Sequence, residues 1–205
     1  GNMLAGQDVD IDGREGVDLN GTIGAGTAIG VNVDIDSAMG TVTIDGNITA
    51  NGDVLVDAAN NITVGSGADI TADANTSGAG NVVMNADTDS SSAGDLTINN
   101  DSTVTGERVT LTGYNVTSDV VTARNGSNAA GTMITITGEH DVTINDSTTV
   151  SSIVDGDIDI TATEGSVNQT AGTILATDGG VEISAGDDID VRAVTANANN
   201  MTGGN

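Results

Sequence analysis

The residues best equipped to hold a ligand come early, in the run Asp8-Val9-Asp10-Ile11-Asp12-Gly13. Oxygen donors at alternate positions, followed by a glycine for a sharp turn, suit a hard cation such as Ca2+. A calcium loop of that kind closes on a bidentate glutamate, and here that position is Leu19. Val9 and Ile11 alternate with the acids, which is also the pattern of a strand with one wet face. A second acidic stretch, Gly156 to Gly165, sets Asp157 and Asp159 around Ile158, with Gly156 and Asp157 reading as the turn and Ile158 and Ile160 as inward residues of the strand that follows. Paired acids can serve as general acid and base on a glycosidic bond. His140 is the single histidine and there is no cysteine, so neither a zinc site nor a catalytic triad can be assembled. The glycines from Gly24 to Gly30 lack the spacing of a phosphate-binding loop and read as a turn. No serine sits in a nucleophile elbow. No catalytic residue is assigned.

Which reading of the acids holds depends on the elements that carry them. The chain has 205 residues, a formal net charge of −26, no Lys, Pro, Cys, Trp or Phe, and one tyrosine, Tyr114. Such acidity suggests disorder, but the branched aliphatics are too regularly spaced for that. Without aromatics, each of which buries roughly 150–250 Å², a core must be built from many similar small contacts. That favours a repeat over a unique globular packing. No run approaches the roughly 18 apolar residues of a membrane span. The start shows no cationic and apolar signal sequence, and neither end shows a polar cap. The chain therefore reads as one domain over residues 1–205, an interior piece or repeat unit of a longer or polymerising protein.

The recurring unit is a Gly, Asn or Asp turn followed by an apolar–polar–apolar triplet. The first triplet of each group begins at Val9, Val33, Val54, Val82, Val109, Ile134, Ile158 and Val181. A second triplet usually follows, then a shorter apolar site at Ile23, Ile48, Ile70, Val104, Val121, Val150, Ile174 and Val194. A period of about two dozen residues with three short strands in each is the signature of a parallel β-solenoid. The expected fold is therefore all-β, a right-handed parallel β-helix of about eight coils. Ala86 to Gly94 and Arg124 to Gly131 read as loops leaving the rod.

Repeats such as Gly52 to Val64 and Gly94 to Gly113 resemble the filamentous haemagglutinin type of bacterial exoprotein, and also autotransporter passenger domains. The resemblance implies an exported β-helix at the cell surface, serving as adhesin, biofilm component or stalk. It carries no adhesive residue over to this chain, which lacks an Arg-Gly-Asp tripeptide.

In a solenoid the equivalent residues of successive coils stack about 4.8 Å apart. The middle of the first triplet should then form an outward column: Asp10, Asp34, Leu55, Val83, Thr110, Thr135, Asp159, Glu182. Two residues on, the column runs Asp12, Asp36, Asp57, Asn85, Thr112, Thr137, Thr161, Ser184. The second triplets give Asp18, Thr43, Thr63, Thr97, Thr143 and Asp190. Shared Ca2+ is expected between coils at Asp10 and Asp34, at Asp12, Asp36 and Asp57, and at Asp159 and Glu182, with Asp8 beside them. Spread over about 40 Å, the charge approaches that of duplex DNA at about 1.7 Å per charge, so the rod should gather cations and repel nucleic acid. Self-association end to end, continuation into further coils, or a host or cell-surface ligand are the partners expected. The location expected is extracellular, with no membrane insertion. Two other functions fit less of the sequence. One is a polysaccharide lyase or hydrolase. The other is ice binding through the Thr110, Thr112, Thr135 and Thr137 patch. Asn-x-Ser/Thr sequons at Asn47, Asn61, Asn115 and Asn145 leave glycosylation open.

Overall fold

The computed structural model describes residues 1–26, 30–73, 80–124, 131–151 and 156–197. Among these, all regular structure is β-strand. That follows from composition, because Gly, Asn, Asp, Thr and Val all favour turns or strands over helix.

A lone strand, β1 (Met3–Ala5), comes first. Eight coils of three strands follow. They begin with β2 (Val9–Gly13), β3 (Gly16–Leu19) and β4 (Ile23–Ala25), then β5 (Val33–Ser37), β6 (Thr41–Ile44) and β7 (Ile48–Ala50). Next are β8 (Val54–Ala58), β9 (Ile62–Val64), β10 (Asp69–Thr71), then β11 (Val82–Asn85), β12 (Leu96–Ile98) and β13 (Thr103–Gly106). The fifth coil is β14 (Val109–Gly113), β15 (Val116–Ser118) and β16 (Val120–Arg124). The sixth is β17 (Gly131–Gly138), β18 (Val142–Ile144) and β19 (Thr148–Ser151). The last two are β20 (Gly156–Ala162), β21 (Val167–Gln169), β22 (Ile174–Ala176), and β23 (Val181–Ala185), β24 (Ile189–Asp190), β25 (Val194–Ala196).

Every strand pairs, in parallel, with its counterparts one coil away. The first strands of the coils form sheet I, the second sheet II, and the third sheet III; β1 joins sheet III, which therefore has nine strands against eight in each of the others. The result is a three-sheet parallel β-solenoid with the expected period.

Alternation decides which residues are inside. Val33, Ile35, Val54, Val56, Val82, Met84, Val109 and Leu111 on sheet I are fully buried, as are Val42, Ile44, Ile62 and Val64 on sheet II. Sheet III contributes Ile48, Ile70, Val104 and Val121. Both outward columns of sheet I pair as the sequence implies, from Asp10 against Asp34 to Asp159 against Glu182. Gly40 is required by the stacking, since a Cβ there would overlap the Glu15 carbonyl of the coil before.

Three expectations need correction. Val150 pairs with Ala123 and Ala176, so the residue in register with Val121 and Ile174 is Thr148. Thr148 is a polar residue in an inward position, where the repeat otherwise places an aliphatic. The sheet II column also contains Thr117 and Asn168. Their triplets close on Ser118 and Gln169, both buried polar residues, so they lack the apolar–polar–apolar form. Finally, Gly156 and Asp157 lie within β20, paired with Gly131 and Thr132, rather than in the turn before it. A bulge between Thr132 and Ile134 takes up the extra residue, Met133, which is buried.

Of the two loops, Ala86 to Gly94 stays against the rod at its start. The amides of Asp87 and Thr88 donate to Asn60 and Ala58 of the preceding coil. In the other, residues 125–130 lie outside the described residues.

Candidate functional site

The chemistry-bearing residues fall into two sets: those on the strands, facing out, and those at the corners, one position before the first inward residue of a strand.

The corner set was not anticipated, and it accounts for much of the acid and amide content. At the corner entering sheet I, Asp8 Oδ1 accepts the Asn32 amide of the next coil at 2.8 Å. Asn32 Oδ1 then accepts from Asp53, and Asp53 Oδ1 from Asn81, each at 2.8 Å. The corner entering sheet II continues the device over five coils. Asn61 accepts the Asp95 amide, Asp95 the Asn115 amide, Asn115 the Asp141 amide, and Asp141 the Ser166 amide at 2.8 Å. Asn2 and Asn47 do the same for Thr22 and Asp69 at the corner entering sheet III. A short side chain with a carbonyl or carboxylate oxygen reaches the next backbone N–H, which would otherwise be unpaired at a bend in the chain. The signal was present in the sequence as an Asn or Asp directly before the first aliphatic of a triplet.

These contacts give two of the candidates a structural partner. Asp8 Oδ1 is engaged in the corner ladder. Asp157 likewise accepts the Gly180 amide at 2.6 Å. The sequons at Asn47, Asn61 and Asn115 sit on the same ladders, and the Asn115 amide nitrogen is already bonded to Asp95 at 2.9 Å. The hydrogen bond from the Ser166 amide and, less, the His140 contact hold the Asp141 carboxyl below its ordinary pKa. His140 Nδ1 lies 3.0 Å from Asp141 and its ring stacks on Tyr114 with centroids 5.7 Å apart. The chain's one histidine and one tyrosine therefore form part of the sheet I to sheet II corner.

The strand set contains the acid columns. Asp10 pairs with Asp34, and Asp12 with Asp36 and then Asp57, on three neighbouring strands, β2, β5 and β8. Burial, then the charge of Asp36, Asp10, Asp57 and Asp12, raises the pKa of Asp34. Burial, then Asp57, Asp12 and Asp10, does the same for Asp36. Asp34 Oδ1 is buried and accepts no hydrogen bond. The column of Asp12, Asp36 and Asp57 ends where Asn85 Nδ2 donates to Asp57 Oδ1 at 2.7 Å. At the far end Asp159 and Glu182 are register partners, yet the hydrogen bond of Asp159 is from Thr161 at 3.2 Å. A groove of about 300 Å³ runs past Thr132, Asp157, Asp159 and Glu182.

A larger groove, about 590 Å³, lies at the corner between sheets II and III and is lined by Asn100, Asp101, Thr103, Asp119, Asn145, Asp146 and Thr170. Asp119 is 5% exposed. Burial raises its pKa and the charges of Asp146 and Asp101 add to this, while amide hydrogen bonds from Ser102 and Asp101 oppose it. Sequence reading missed this groove because it flanks the coil whose second triplet ends on Ser118. Among the described residues, no group of three or more His, Cys, Asp or Glu side chains is placed to hold a metal ion.

Compared with family models, curated proteins and solved structures, the chain matches none of them. The likeness to filamentous haemagglutinin-type proteins thus rests on the repeat and the solenoid.

Proposed function

We propose that this chain is a structural segment of a bacterial surface fibre, stalk or adhesin, exported from the cell and assembled end to end. The observation that carries this reading is the use made of its polar side chains. Asp8, Asn32, Asp53, Asn61, Asp95, Asn115 and Asp141 are hydrogen-bonded from coil to coil. Such bonds stiffen a rod and leave few groups free for chemistry. An antibody to the chain, applied to intact cells that produce it, should label their surface. Labelling seen only after permeabilisation would overturn the surface assignment.

The dependence on cations that fits this geometry is diffuse screening along the acid columns rather than a closed coordination shell. Ca2+ and Mg2+ at equal ionic strength should then raise the melting temperature alike. A calcium-specific rise, lost in Asp36→Asn, would establish a true site in its place.

The groove beside Asp157, Asp159 and Glu182 is the feature that favours a polysaccharide-acting enzyme. Release of reducing ends or unsaturated sugars from acidic polysaccharides, abolished in Asp159→Asn, is the result that would make it the function.

A further inference from the structure

In the fourth coil the corner between sheets I and II is long. Residues 86–95 span it, where 114–115, 139–141 and 163–166 suffice in the next three coils. The extra residues are folded into a fixed wall. The amides of Asp87 and Thr88 donate to the Asn60 and Ala58 carbonyls of the coil before, each at 3.1 Å. The Asp87 carboxylate accepts the Ser91 amide at 2.7 Å, the Ser91 hydroxyl at 2.9 Å and the Ser92 amide at 3.0 Å. A Cβ on Gly94 would overlap the Asp87 amide nitrogen, so the loop closes on itself at its base.

Between this wall and the edge of sheet I lies a groove of about 230 Å³. Its polar lining comes from Asp87 and Ser90 of the loop and from Thr112, Thr137, Glu139 and Thr163 of the next three coils. Sites for drug-sized ligands start at roughly 300 Å³, so this one suits a single small ring. Gly113 and Glu139 line the groove, and Tyr114 and His140 directly follow them in the chain. The Tyr114 amide donates to the Gly94 carbonyl at the loop base at 2.7 Å, and the His140 amide to the Tyr114 carbonyl at 2.8 Å. The two rings are stacked, and Asp141, 3.0 Å from His140 Nδ1, steadies the upper one. The His140 side chain is 44% exposed, and neither ring belongs to the core. In a chain without Phe or Trp, the one tyrosine and the one histidine thus stand together on the surface, beside a groove rich in hydroxyls.

A sugar ring presents both matching surfaces. Its C–H face is apolar and packs on aromatic rings. Its hydroxyls donate to carboxylates and exchange hydrogen bonds with Ser and Thr. Asp87 and Glu139, on a rod of net charge −26, repel an acidic sugar. We propose that this corner binds one neutral hexose or N-acetylhexosamine residue of a glycan, packed against the Tyr114–His140 stack and hydrogen-bonded in the groove under the loop of residues 86–94.

The inference deepens the adhesin part of the reading above and rests on it for access to glycans. The full chain, labelled at its amino terminus, is applied to an array of glycans ending in neutral hexoses or N-acetylhexosamines, with the same glycans capped by sialic acid alongside. Neutral-ended glycans should bind and their capped forms should not. Tyr114 is the one intrinsic fluorophore, since tryptophan is absent, so titration with the bound glycan should change its emission. Tyr114→Ala should weaken binding about tenfold, and Tyr114→Phe, which keeps the ring, should bind as the parent does. If Tyr114→Ala fails to fold, Thr137→Val removes a groove hydroxyl at constant shape and should also weaken binding. Binding indifferent to these changes, a preference for capped glycans, or no glycan bound at all overturns the site. Antibody labelling of intact cells keeps the two readings apart: surface labelling without glycan binding removes the site alone, and glycan binding without surface labelling removes the surface role alone.

Discussion

At the residue scale the polar groups divide by whether a partner is within reach. Asn115 is satisfied on both sides: its Nδ2 donates to Asp95 at 2.9 Å and its Oδ1 accepts the Asp141 amide at 3.1 Å. Asn115→Ala leaves that amide without its acceptor and should cost about 1–3 kcal/mol, measured by chemical denaturation. Thr148 is the opposite case. Its side chain is fully buried and its hydroxyl has no partner. Thr148→Val keeps the shape and removes an unsatisfied group, so stability should rise by about 1 kcal/mol. A loss of stability would mean that the hydroxyl is bonded, for instance to internal water. Ser118, equally buried and unpartnered, lies at the same turn between sheets II and III one coil earlier. That turn is where the core tolerates polarity, and it is also where the pattern in the sequence breaks.

At the element scale the strands of sheet I differ in charge along the rod, and pH should separate them. Asp34 and Asp36 on β5 have raised pKa values in the folded chain, so the native state binds their protons more readily than the unfolded one. Their stabilisation grows as pH falls from neutral towards the unfolded value of 3.8 and disappears as pH rises. Asp141 before β18 has a lowered pKa and behaves oppositely. Its stabilisation is present above 3.8 and is lost as pH falls through its lower folded value. Asp87 acts in the same direction: burial alone would raise its pKa, but hydrogen bonds from Ser91 and Ser92 prevail. Hydrogen exchange followed from neutral pH towards about pH 4.5, with the intrinsic rate removed, should show protection rising in β2, β5 and β8 and unchanged in β18 and β21. Equal change in both regions would refute the assignment. The strand columns were legible in the sequence because alternation and period are set by aliphatic residues, and only strands at that spacing keep them inside. The corner ladders were less legible, because Asn or Asp before an aliphatic looks the same whether it caps the next coil or merely turns the chain. Where Thr148, Ser118 and Gln169 replace aliphatics, register could be read only from the pairing itself.

At the scale of the whole molecule each coil touches only its neighbours, so stability is a sum of coil and interface contributions. Burial follows position in the stack. Leu111 in the middle is fully buried, whereas Val181 and Ile183 in the last coil are only partly covered. Leu111→Ala opens a cavity enclosed on both sides and should cost about 2–5 kcal/mol. Ile183→Ala removes a side chain with one open flank, so it should cost well under the middle-coil change while freeing the last coil to fray. The rod's charge adds a second gradient. With a formal net charge of −26 and only four arginines, most coils carry net negative charge, and folding works against the repulsion between them. Screening weakens it, because the Debye length falls from about 30 Å at 0.01 M salt to about 3 Å at 1 M. The melting temperature of the isolated chain should therefore climb with NaCl at fixed protein concentration. If the ends also join, the climb should steepen with protein concentration, because association draws on the folded state. A melting temperature that rises with salt but is indifferent to protein concentration would attribute the whole effect to screening within one rod.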